Sequence, residues 1–122
     1  MNTSAQDEVA VAVLSKELGM SLPASIRVLG VERQEGMDDI VRAKLEMPRA
    51  VFEANAKSLP LEPSKLRPGV GRLGTDRGFW NPGHYQDIRS GSAMREGARA
   101  FHLGIASRPD DTVVVFIVSH GT

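Results

Sequence analysis

At 122 residues without a cysteine, the chain can bury one hydrophobic core and reads as a single domain over residues 1–122; disulfides, thiolate metal sites and cysteine nucleophiles are excluded. Fifteen basic side chains balance fifteen carboxylates, so no net field favours a nucleic acid or an anionic membrane as partner. The balance shifts along the chain: residues 1–62 hold ten carboxylates against seven basic groups, and residues 63–122 hold five against eight, all Arg except Lys65.

The N-terminus has no basic segment followed by an apolar run, and no later run approaches the ~20 apolar residues that cross a bilayer, so no membrane insertion is expected. The chain as it stands reads as cytoplasmic, or as exported if a signal has been removed. In chain order, Ser4 and Asp7 make a Ser-x-x-Asp capping box, and Val9, Val13, Leu14 and Leu18 form an apolar stripe that predicts a helix over 5–18. The period then changes to two. Val41, Ala43, Leu45 and Met47 alternate with Arg42, Lys44 and Glu46, which predicts a strand with one solvated face. Its partner runs from Ile26 to Arg33, where a phase switch at Leu29 and Gly30 predicts a β-bulge. Pro48 opens a second helix with Val51, Phe52, Ala56 and Leu59 on its inner face.

Near the C-terminus, "GARAFHLGIAS" and "TVVVFIVSH" flank "RPDD", a hairpin whose last strand is apolar on both faces and therefore central. The expected fold class is α+β: an antiparallel sheet of about four strands with two main helices on one face, in the order α-β-β-α, a long connection, then β-β. That connection, residues 60–96, exceeds the length of an ordinary loop. Asn81 and Pro82 suggest a helix over about 82–89, and residues 92–97 a further turn.

The connection contains a complete G-x-G-x-x-G at Gly69, Gly71 and Gly74. A dinucleotide fingerprint needs a buried strand before the glycines and a helix after them, and "EPSKLRP" and "TDRGFWNPG" supply neither. The glycines are expected to serve turns. Around them, Arg67, Arg72, Arg77 and Arg89 lie near Trp80, the only Trp, and Tyr85, the only Tyr. Arg and aromatic side chains on an exposed loop suit an acidic partner, a phosphate or a single-stranded base. The competing reading makes Trp80 and Phe79 a lid on the core, with the arginines solvated around it.

His84, His102 and His120 show no metal-ligand spacing. His102 lies in phase with Ala98, Ala100, Gly104 and Ala106, a strand face of small residues that admits another element closely. His84, Tyr85, Asp87 and Arg89 could serve acid-base chemistry, and Ser119 beside His120 points to the opposite face of its strand. No catalytic, cofactor-binding or metal-ligating residue is assigned; the expected binding residues are Arg67, Arg72, Arg77, Trp80, His84, Tyr85 and Arg89.

The alternating strand leading into "LEMPRAVFEANAKSLPL", the "FWNP" loop and the terminal "TVVVFIVSHGT" resemble a loose group of small bacterial proteins. In them a strand runs into a Pro-started helix, and an aromatic-Trp-x-Pro element precedes a final hairpin. The resemblance spans residues 38–122 and rests on Met47, Pro48, Phe52, Trp80 and Pro82. Many members look exported or lipid-anchored, whereas this sequence shows no signal and no lipidation cysteine; the resemblance implies no activity. The leading expectation is a non-catalytic protein of the bacterial immunity or inhibitor type that acts on a protein partner. The alternative is a small-ligand or envelope-associated carrier with a pocket under the loop at 67–90, and an enzyme is the less favoured class.

Overall fold

The computed structural model describes residues 26–34, 40–55, 62–76, 78–95 and 99–120. They form strands β1 (Arg27–Gln34), β2 (Ile40–Pro48), β3 (Arg67–Pro68), β4 (Arg89–Arg95), β5 (Arg99–Ser107) and β6 (Thr112–His120), with helix α1 at Arg49–Asn55. The strands make one antiparallel sheet in the order β1-β2-β6-β5-β4-β3. This overturns the α+β expectation of about four strands under two main helices. The described fold is mainly β, with six strands, one seven-residue helix and short 3-10 turns at Pro63–Lys65, Gly71–Leu73 and Pro82–His84. The expected helix over 5–18 lies outside the described residues. No described helix is long and apolar enough to cross a membrane.

Both hairpins pair as their patterns predict. The β1–β2 register slips between Val28 and Gly30, which is the bulge expected from the phase switch. The β5–β6 turn closes through Arg108 N–H to the Thr112 carbonyl at 2.9 Å, with Asp111 at a positive φ of 62° that Asp tolerates better than most residues. That turn also positions α1. The Arg49 amide, an orphan donor at the helix start, donates to the Asp111 carbonyl at 3.1 Å.

β6 lies between β2 and β5, and every residue from Val113 to Ser119 is buried. Its odd-numbered side chains, Val113, Val115 and Ile117, join Val41, Ala43, Leu45, Met47, Phe101 and Leu103 in one core layer, closed by Phe52 of α1, Leu66 and Ile26. Its even-numbered side chains, Val114, Phe116 and Val118, pack with Leu73, Trp80 and Ile88 of the long connection in the second layer. A sheet covered on both faces has no alternating strand at its centre, which is why β6 reads as a continuous apolar run.

The second layer depends on glycine. A Cβ on Gly104 would overlap Leu73 Cδ1, and a Cβ on Gly30 would overlap the Phe79 ring, so each strand admits a side chain of the connection at backbone distance. The close approach expected beside His102 is thus made by the turn at Gly71–Leu73.

Candidate functional site

The expected binding residues divide among several environments. Trp80 is buried, 2% exposed, with Nε1–H donating to the Leu73 carbonyl at 2.9 Å and its ring edge-on to Phe116 at 5.2 Å. It is the lid, and its indole is withdrawn from any partner. Tyr85 is half-buried, edge-on to Phe116 at 5.8 Å, and His84 is exposed against the Tyr85 edge. Arg67 is exposed on β3, Arg72 is exposed on the turn beneath β4 and β5, and Arg89 is exposed on β4 with Nη2 donating to the Leu66 carbonyl at 2.9 Å. Arg77 lies outside the described residues.

The glycines do serve turns. Gly69, Gly71 and Gly74 all have positive φ, at 112°, 56° and 91°, and the strand after them, β4, begins only at Arg89. Asn81 and Pro82 start a single 3-10 turn in place of the expected helix over 82–89, with no cap bond from the Asn81 side chain. That side chain is occupied elsewhere: Asn81 Oδ1 accepts from Lys44 Nζ at 2.8 Å. The ammonium also lies 5.7 Å from the centroids of both the Tyr85 and Phe116 rings. Lys44 is buried, so the face of β2 expected to be solvated is covered at this position by the connection.

A cleft of about 810 Å³ opens between α1 and the β3–β4 edge. Phe52, Leu66 and Ile105 make its apolar floor, and Arg49, Glu53, Asp87 and Arg89 supply charged groups around it. The polar wall is held in place: Arg49 donates from Nη2 to Ser107 Oγ at 2.8 Å and from Nε to Asp111 Oδ1 at 3.2 Å, while Asp87 Oδ2 accepts from the Ser107 amide at 2.9 Å. Arg89 is tied by a single bond to Leu66 and keeps further N–H donors for a ligand. Of the expected binding residues, Arg89 alone lines this cleft. Arg49 was hidden in sequence because its partners lie 58 and 62 residues away across the sheet.

A second polar group lies further along the sheet, where β4, β5 and β6 bring Ser92, His102 and His120 together. Ser92 Oγ is 2.6 Å from His102 Nδ1, and His102 Nε2 is 3.1 Å from His120 Nε2. Both rings are half-buried. Burial first, then the His120 ring and the Arg72 guanidinium, hold the His102 pKa below its ordinary value of 6.5. Spacing in the sequence gives no hint of this pair. The β5–β6 register does, because it sets His102 opposite Val118 and His120 opposite Ala100, two residues apart on one face. Among the described residues no three of His, Asp and Glu gather as a metal-ligand set.

Comparison with known proteins returns no match: no family model, no curated protein and no solved structure corresponds to this chain. The chemistry of each site therefore rests on its own geometry.

Proposed function

We propose that the protein is a non-catalytic carrier whose ligand, a small molecule with an apolar body and an anionic head, occupies the cleft between α1 and the β3–β4 edge. The observation that supports this reading is the cleft itself: about 810 Å³ falls within the range of small-molecule sites, and its apolar floor sits beside an arginine with donors to spare. Phe52, Leu66 and Ile105 take the apolar body, and Arg89 forks to the anion. Arg49, already committed to Ser107 and Asp111, orients the wall. A reaction has less support, because the Ser107 hydroxyl that lines the cleft accepts from Arg49 and, among the described contacts, is not bonded to a base.

The test is calorimetric titration of the full chain with decanoate and decyl sulfate, alongside native mass spectrometry of protein from its host. One-to-one binding that weakens tenfold or more in Arg89→Ala, with an unchanged melting temperature, supports the carrier reading. No binding of either amphiphile, together with no copurified small molecule, overturns it.

A different observation favours the second reading, a protein contact of the immunity or inhibitor type. Arg67 and Arg72 are exposed, and β4 pairs with β3 only at Arg89 and Ser90, so its outer edge from Gly91 to Arg95 has no partner strand among the described residues. An acidic partner segment would add to that edge as a strand and meet the arginines. A host pulldown returning a stoichiometric protein that Arg67→Glu with Arg72→Glu releases supports this reading. Its absence, or binding indifferent to the double reversal, excludes it.

A further inference from the structure

We propose that His102 and His120 form a two-imidazole chelate for a divalent transition-metal ion, with Cu²⁺ the preferred species, oriented from behind by Ser92. The argument starts from spacing. Two nitrogens each about 2.0–2.1 Å from one ion lie about 3.3 Å apart at a tetrahedral angle and about 2.9 Å apart at a right angle. The two Nε2 atoms are 3.1 Å apart, between these values, so an ion can enter once the rings turn to aim both lone pairs at it. Neighbouring, hydrogen-bonded strands β5 and β6 hold the rings, tilted by 33° with centroids 5.2 Å apart.

Proton bookkeeping permits the exchange. In the metal-free pair one ring donates Nε2–H to the bare Nε2 of the other, and the neutral pair holds two ring protons. A metal ion needs both Nε2 lone pairs, which requires both rings in the Nδ1–H form, again with two ring protons. One tautomer changes and no net proton is lost. Ser92 accommodates the change because its hydroxyl, 2.6 Å from His102 Nδ1, can turn from donor to acceptor and then fix the ligating tautomer.

Both rings are half-buried, so water completes the coordination sphere. Two imidazoles without a carboxylate select against Mg²⁺ and Ca²⁺ and suit Cu²⁺, Ni²⁺ and Zn²⁺, with Cu²⁺ first by intrinsic affinity. The Arg72 charge, which acts on His102, opposes a cation and would attract an anion. Its removal therefore separates the two kinds of ligand.

The experiment is isothermal titration of the full chain with CuCl₂ and ZnCl₂ at pH 7.5 in a non-chelating buffer, with electron paramagnetic resonance of the Cu²⁺ adduct. The expected result is one Cu²⁺ bound per chain, more tightly than Zn²⁺, with hyperfine structure from two imidazole nitrogens. Binding is lost in His102→Asn and in His120→Asn and persists in His84→Asn, the remaining imidazole. It weakens about tenfold in Ser92→Ala, the size of a lost orienting bond, and tightens severalfold in Arg72→Ala. Absence of one-to-one Cu²⁺ binding, a resonance spectrum without two nitrogen ligands, indifference to both Asn substitutions, or weakening in Arg72→Ala would overturn the proposal. Should His102→Asn fail to fold, the spectrum of the wild-type adduct and the half-exposed His120→Asn variant decide.

Discussion

Lys44 shows how one side chain adapts to a covered sheet face. Its ammonium is buried, and it is kept there by the Asn81 amide oxygen at 2.8 Å and by the Tyr85 and Phe116 rings at 5.7 Å. Every one of these groups presents partial negative charge, so the site is built for a cation. Lys44→Asp places a carboxylate against an amide oxygen and two π faces, and burial of an unpaired charge costs several kcal/mol. We expect a loss of about 3 kcal/mol in urea denaturation. Lys44→Met keeps the stem and removes the charge; it should cost about 1 kcal/mol, chiefly for leaving Asn81 Oδ1 unpaired. A Lys44→Asp protein as stable as wild type would show that this face is wet after all. The alternation of β2 cannot reveal the difference, because a lysine under a lid and a lysine in water look alike in sequence.

Elements were legible where local chemistry and tertiary packing agree. The β5–β6 hairpin announces itself through a continuous apolar run, a turn with Pro and paired Asp residues, and β-branched side chains. The β1–β2 bulge announces itself through a phase change at Gly30. β4 was not legible, because "RSGSAMR" contains small and polar residues without alternation or strong β preference. Those small residues suit what lies beneath them: a Cβ on Gly71 would come within 2.6 Å of Ser90 Oγ, so the turn at Gly71–Leu73 sits directly under β4. Trp80 anchors the connection to the sheet. Trp80→Ala removes an indole packed on Phe116 and the donor to the Leu73 carbonyl, and a buried aromatic truncated to Ala costs about 3–5 kcal/mol. Hydrogen exchange should accelerate most over residues 70–88 while β6 amides keep their protection. Uniform acceleration across the sheet would mean the connection is not a separable layer.

At the scale of the whole molecule, stability depends on a sheet sealed on both faces, and one consequence is a pH response set by His102. Its imidazole is flanked by Ser92, by the His120 ring on β6 and by Arg72 on the turn below, and burial, His120 and Arg72 all disfavour its protonated form. The unfolded chain, by contrast, takes up a proton at this residue near the ordinary pKa of 6.5. Above that pH both states are neutral here and the contribution to stability is fully present. As the pH falls through 6.5, the unfolded state gains protons first, so stability declines until the folded-state pKa is passed. Thermal melts of metal-free protein between pH 8 and pH 5 should thus show a fall in melting temperature that begins near pH 6.5. In His102→Asn the same titration should be flatter, because a neutral amide replaces the ring in both states. The lowered pKa of Asp110, caused chiefly by its bond from Thr112, acts near and below its ordinary value of 3.8, outside this window. A wild-type curve parallel to that of His102→Asn from pH 8 to pH 5 would mean that the pair carries no proton linkage to folding. A steeper wild-type slope in the presence of CuCl₂, as the ion holds both folded-state rings unprotonated while the unfolded chain still takes up protons, would tie this response to the chelate between β5 and β6.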